Sequence, residues 1–302
     1  MVVFFLGVFC NLNLGQTELL KVNTDLVTVP FSVKDRGGRT ITNIEPRELT
    51  ILEDGVLQEI AFLNTFEEPI TIVLLLDISS SMRDHYGSLL EAANSFVQEL
   101  RPNDRLIVFS FHDRINMVID LTEVKNVGNR IKLKTKSQGE GTILFDAVET
   151  GIKKLKRLSG RKALVLYTDG IGSGIATAKG TLRTAEESDA AFYTVQFGKF
   201  APEPPPGGAT KKNYFERVAE IEGYMRDLAV KTGGRHYHIE DITNLSATFH
   251  QIAEELSQQY MLGYYPLKEG KDGERRKITV KVNIPNVAVR SRNEVIFKKP
   301  KK

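Results

Sequence analysis

At 302 residues the chain is long enough for one or two domains. A net charge of +3, with no basic stripe interleaved with aromatics, does not argue for a nucleic-acid partner. Charged residues make up 26% and apolar residues 41%, the mixture of an ordinary globular protein. Cys10 is the only cysteine, which excludes an internal disulfide and any cysteine-based zinc site.

Met1 to Cys10 is almost wholly apolar, and the sequence turns polar at Asn11. Ten such residues are too short to span a bilayer but have the length of the apolar core of an export signal. Residues 1–18 therefore read as part of a signal segment without its positive start, the alternative being a first β-strand. Val8 and Phe9 are too bulky for a lipoprotein site at Cys10. The expected location is extracytoplasmic, periplasmic or secreted, and no other segment reads as transmembrane.

Residues 19–66 read as β. Leu26 to Val33 mixes β-branched and polar residues, and Pro30 marks it as an edge strand. Two runs, Leu49 to Glu53 and Val56 to Phe62, flank Asp54-Gly55, a strong hairpin signal. This piece is too short for a core of its own. Its partner is expected in residues 260–302, where Ile278, Val280, Val282 and Ile284 alternate onto one face and Val287 to Arg290 and Val295 to Phe297 follow. The two ends should form a small all-β sandwich, with residues 67–259 inserted between them.

The inserted stretch alternates strand and helix. Ile70 to Leu76 is apolar except for Thr71 and reads as a strand buried on both faces. It ends in Asp77-Ile78-Ser79-Ser80-Ser81. A helix is expected over Asp84 to Leu100. Arg105 to Phe111 is a strand, and the short His112-Asp113-Arg114 link makes the next, Ile115 to Asp120, antiparallel to it. Leu144, Val148, Ile152 and Leu155 mark a helix behind a Gly141-Thr142 loop. Ala163 to Thr168 is a second apolar strand, ending in Asp169-Gly170. Ala191 to Phe197 is the next strand, followed by a Pro- and Gly-rich loop over 199–212. A helix lined by Tyr214, Val218, Ile221, Met225 and Leu228 stops at Gly233-Gly234. Arg235 to Ile239 is a short strand, and Leu245 to Leu256 carries the last helix, capped by Thr243 or Asn244. The predicted fold is α/β: a doubly wound, mostly parallel six-stranded sheet with helices on both faces, plus the terminal sandwich.

A carboxylate and two hydroxyls at the end of a central strand suit a hard cation with oxygen ligands, Mg²⁺ first, and open α/β sheets bind ligands beyond their strand ends. Alone, the D-x-S-x-S pattern reads equally well as helix capping. With the loop hydroxyl of Thr142 in G-x-T-x-L-x-D-A and the strand ending T-D-G, it resembles a von Willebrand factor type A domain with its metal-ion-dependent adhesion site. The resemblance covers about Glu67 to Gln259; the flanking segments look like a bacterial secreted family related to that domain. It implies that Asp77, Ser79, Ser81, Thr142 and Asp169 hold Mg²⁺, with Mn²⁺ or Ca²⁺ as alternatives, directly or through water. It further implies that a Glu or Asp carboxylate of a protein partner completes the metal shell.

The remaining candidates read more plainly. Asp84 suits a helix N-terminus, and Asp146 belongs to the helix, where it could anchor a loop. His85 and His112 lie near the site as surface histidines. His236 and His238 share one face of a strand, but no third ligand is spaced near them, so metal is not expected there. The sequence has no H-E-x-x-H, no phosphate-binding P-loop and no nucleophile elbow, and Gly170 to Gly174 lacks dinucleotide spacing. The reading is a non-enzymatic, divalent-cation-dependent protein-binding module. The alternative is a metal-independent scaffold component of an extracytoplasmic complex.

Overall fold

The computed structural model describes residues 26–65, 67–128, 131–133, 141–170, 175–198 and 211–297. The signal-like segment, most of the Pro-rich loop, residues 171–174 and the lysine tail fall outside them. Four strands open the chain: β1 (Val27–Asp35), β2 (Leu49–Glu53), β3 (Val56–Gln58) and β4 (Ile60–Asn64). Asp54 and Gly55 join β2 to β3 at φ 48° and 83°, the doubly positive turn that matches strand twist. The Val56 to Phe62 run is not one strand. It breaks at Glu59, and β3 and β4 enter different sheets.

The middle follows as β5 (Ile70–Asp77), α1 (Tyr86–Glu99), β6 (Arg105–Phe111), β7 (Ile115–Glu123), α2 (Leu144–Leu155) and β8 (Arg161–Thr168). It continues with α3 (Ala178–Glu186), β9 (Ala191–Phe197), α4 (Lys211–Val230), β10 (Arg235–Ile239) and α5 (Leu245–Ser257). The six strands lie in the order β10-β9-β8-β5-β6-β7, and all are parallel except β7, whose antiparallel pairing with β6 the sequence predicts. Every residue of β5 is buried. Ile70, Ile72, Leu74 and Leu76 pack towards Leu89 and Phe96 of α1 and Phe249 and Leu256 of α5. Val73 and Leu75 pack towards Val148 and Ile152 of α2 and Met225 and Leu228 of α4. Two-sided burial explains why this strand is a continuous apolar run rather than an alternating one.

The chain closes with β11 (Tyr260–Tyr264), β12 (Arg275–Val282), β13 (Val287–Ser291) and β14 (Glu294–Ile296). Together with β1 to β4 they form two four-stranded antiparallel sheets, β13-β1-β11-β4 and β14-β12-β2-β3. Phe31, Ile51, Leu262, Ile278 and Val295 meet in one core between them. Both ends of the chain thus share a sandwich, as expected from their patterns. Among the described residues, no helix is long and apolar enough to cross a membrane.

Three local expectations are corrected, and one helix is added. Pro30 does not put β1 at an edge: β1 lies between β11 and β13. Pairing with β11 covers Val27 to Phe31 and pairing with β13 begins only at Phe31, so Pro30 has a paired neighbour on one side only. The first helix starts at Tyr86, because Ser80–His85 forms a 3₁₀ turn. The side chain that caps the approach to α5 is Asp241, accepting from the Thr243 N–H at 2.9 Å. Helix α3 is absent from the sequence prediction, although Ala178, Leu182 and Ala185, at i, i+4 and i+7, form a short stripe packed on the core.

Gly233 and Gly234 do more than stop α4. Gly233 has φ +86°, and a Cβ on Gly234 would lie 1.9 Å from the Phe192 carbonyl oxygen of β9. Gly234→Ala is expected to lower the unfolding free energy by about 1–3 kcal/mol or more in denaturant titrations, since backbone cannot yield as a side chain does. Gly223→Ala, in α4 with open space around it, should instead stabilise by about 0.5–1 kcal/mol.

Candidate metal centre

Three loops converge beyond the carboxyl ends of β5, β6 and β8. Asp77 closes β5 with no exposed surface. Its Oδ1 accepts the Ser79 N–H at 2.8 Å, and its Oδ2 accepts the Thr168 hydroxyl at 2.6 Å. Thr168 Oγ1 in turn accepts the Gly170 N–H at 3.0 Å, tying the loop after β8 to the same carboxylate. Ile78 N–H donates to the Phe111 carbonyl at 2.9 Å, so pairing with β6 runs one residue past the strand. The Tyr86 hydroxyl lies against the carbonyls of Ile78 and Ser79, 2.9 Å from the latter, and holds this turn from the start of α1.

The hydroxyls of Ser79 and Ser81 are 3.1 Å apart, and Ser81 donates to Asp169 Oδ2. Ser79 is buried and Ser81 is exposed, so the set runs from the interior to solvent. Thr142 sits in the third loop, only 5% exposed. Ile143 N–H docks that loop onto the His112 carbonyl at 2.8 Å. The hydrogen bonds join Asp77, Ser79, Ser81 and Asp169 into one cluster, and Thr142 stands in the loop docked at the end of β6. They add Thr168, which sequence reasoning passed over; the signal was the hydroxyl inside the T-D-G strand ending.

Burial pushes the Asp77 carboxyl above the ordinary carboxylate range, and the negative charge of Asp169 pushes it the same way. Hydrogen bonds from Thr168 and Ser79 pull against both. Two carboxylates held together with one of them fully buried are a place that a cation would relieve. The donor atoms are all oxygen, two carboxylates and three hydroxyls, the chemistry that hard divalent ions take. The 3.1 Å between Ser79 and Ser81 oxygens also suits adjacent corners of a magnesium octahedron, which are about 3 Å apart. The residues present fit such an ion.

The neighbouring candidates have other work. Asp146, on α2, accepts from the N–H groups of Ile175 and Ala176 at 2.9 and 3.3 Å and anchors the loop after β8, as its position suggested. Asp84 lies in the 3₁₀ turn ahead of α1. His85 packs edge-on against Phe197, with centroids 4.7 Å apart. His112 is not a surface histidine: it is 3% exposed, with Nδ1 against the Asp113 carboxylate and Nε2 3.5 Å from Asn116 Nδ2.

A family model described as the von Willebrand factor type A domain matches residues 72–171. Among solved structures, proximal thread matrix protein 1 from the mussel byssus is similar at 12% identity and a TM-score of 0.51, over 75% of this chain and 50% of that one. The ArnB paralog VWA2 from Sulfolobus acidocaldarius is similar at 16% identity and 0.48, over 91% of this chain and 76% of that one. A second structure of the mussel protein, with a zinc-occupied MIDAS motif, is similar at 15% identity and 0.49, over 68% and 49%. This chain spans half the length of the mussel protein. Among curated proteins, none matches.

A carboxyl whose folded pKa lies above its unfolded value holds its proton more tightly in the folded chain, so ionising it weakens folding. In metal-free buffer, the unfolding free energy of the parent minus that of Asp77→Asn should fall as the pH rises above 3.8 towards neutrality, by about 1–3 kcal/mol. Denaturant titrations of the two proteins across pH measure it. A difference that is flat or rising would remove the buried, charge-opposed carboxyl.

Proposed function

Taking residues 72–171 as a von Willebrand factor type A domain, we propose that this chain is a divalent-cation-dependent protein-binding module and not an enzyme. Asp77, Ser79, Ser81, Thr142 and Asp169 would hold the ion, Mg²⁺ first, with Mn²⁺ or Ca²⁺ as alternatives. The observation that carries this reading is the hydrogen-bonded oxygen cluster of Asp77, Ser79, Ser81 and Asp169 around a fully buried carboxylate at the edge of the central sheet.

The bound cation would supply an electrophile for an Asp or Glu carboxylate of a protein partner. The chain's own residues do the rest. Ser79 and Ser81 present neutral oxygens, which leave more positive charge for an incoming anion than carboxylates in their place would. Thr168 and the Ser79 N–H fix both oxygens of Asp77, so its carboxylate is preset. Asp146 and the His112 carbonyl hold the two outer loops in place. Exposure of Ser81 leaves the cluster open on its solvent side. The apolar stretch from Met1 to Cys10, outside the described residues, supports an extracytoplasmic location.

Calorimetric titration with Mg²⁺ or Mn²⁺ should show binding in the parent and none in Asp77→Ala. At a hundredfold excess over Kd the parent should gain about 2.7 kcal/mol of stability, read as a higher melting temperature. Peptides selected from a display library in Mg²⁺ should then lose binding in chelator, and again when one Asp or Glu is changed to Asn or Gln. Selected peptides that bind equally well in chelator and to Asp77→Ala would overturn metal-dependent recognition and favour the scaffold reading.

A further inference from the structure

We propose that α4 and β10 carry a second metal site, in which Glu222, His236 and His238 bind a borderline transition-metal ion of the zinc type. Glu222 is the ligand that sequence spacing did not supply; it comes from the helix packed over the strand. One carboxylate oxygen and one ring nitrogen from each histidine lie within 4.8 Å of one another.

The hydrogen-bond network fixes which nitrogens are available. Thr194 Oγ1 donates to the Met225 carbonyl at 3.0 Å, so its one proton is spent there. Its contact of 2.9 Å with His236 Nδ1 must then be accepted from that nitrogen, which puts the ring proton on Nδ1. The lone pair of His236 is therefore on Nε2, a buried atom with no hydrogen-bond partner among the described residues. His238 Nε2 lies 2.7 Å from the Gly198 carbonyl, which only accepts, so the proton is on Nε2 and the lone pair on Nδ1. A ring N–H donated to a carbonyl or hydroxyl while the other nitrogen faces the centre is the usual outer shell of a metal-bound histidine.

Two imidazoles and a carboxylate brought this close make a donor set that a bound ion would hold together. Arg226 bonds one oxygen of Glu222. Two imidazoles with one carboxylate select zinc, cobalt, nickel or copper over magnesium, which separates this site from the all-oxygen cluster. Three protein ligands leave a fourth position for water or an exogenous group.

Zn²⁺ and Co²⁺ titrations of Asp77→Ala, in which the first site is disabled, test the proposal. The expected result is one bound ion, with visible d–d absorption for Co²⁺ in a four- or five-coordinate site. Glu222→Gln and His238→Ala in that background should each weaken binding by at least about tenfold. Circular dichroism and melting curves establish that each variant is folded. Glu222 is half-buried on a helix, so its variant keeps the test valid if the strand variant fails to fold. A folded Asp77→Ala protein that binds neither ion, or affinity unchanged in Glu222→Gln, overturns the site. The Mg²⁺ result on the parent stands apart from either outcome.

Discussion

A carboxylate with no exposed surface closes a strand that is buried along its whole length, and much of the architecture around it serves that placement. Asp77 can sit there because β5 delivers it: the strand is apolar on both faces, lies between β6 and β8, and runs into the turn without losing its backbone pairing. The cost of burying the group is met by hydrogen bonds from the Ser79 N–H and the Thr168 hydroxyl, and is raised again by Asp169. Such an arrangement is poor design for stability alone, since a well-packed apolar residue at the same place would carry no such penalty. On the function proposed above, it is a site that a cation would relieve.

Rigid surroundings are what make that readiness useful. Arg161, buried at the start of β8, donates to the carbonyls of Glu68 and Leu256 at 2.8 and 2.6 Å and fixes both ends of the α/β unit to one strand. Glu255 of α5 is held by Arg290 of the sandwich at 2.7 Å and by the Tyr193 hydroxyl at 2.9 Å. Arg292, also buried, donates to the carbonyls of Glu186 and Ser188. The sandwich is thus joined to the end of the sheet unit opposite the Asp77 cluster through charged groups whose partners are few and directional, which sets their relative placement more tightly than apolar contact alone.

Much of this was legible in the sequence because it rests on period and termination. Ile70 to Leu76 announces a doubly buried strand, D-x-S-x-S and T-D-G mark where two strands stop, and Ile278 to Ile284 alternates as a half-buried strand must. What escaped reading depends on neighbours. Pro30 sits mid-sheet because β13 begins one residue later. Helix α3 spans nine residues, and its stripe of Ala178, Leu182 and Ala185 is too small and too short to stand out in the sequence. Thr168 joins the cluster because Leu76 pairs with Tyr167, which brings the next residues, Asp77 and Thr168, side by side. Glu222 meets the histidines only because α4 folds back over β10.

That pairing continues across the sheet. Thr168 is in register with Gln196, and Gln196 with His238, so Asp77, Thr168, Gln196 and His238 form one row along the same edge. Helix α4 overlies this face, and Gly170, at φ +84°, brings backbone close enough that a Cβ would lie 3.3 Å from Gln196 Nε2. Gln196 Oε1 is buried in the middle of the row without a hydrogen-bond partner among the described residues. One end of the row is all oxygen and the other is nitrogen-rich. If both proposed sites bind, ligand softness divides the edge into two places with different ion preferences, and one set of paired strands spans the distance between them. On the two proposals above, a cation that neutralises Asp77 and one that joins α4 to β10 would each stiffen the same row from opposite ends, on a sheet whose strands are otherwise held by apolar packing.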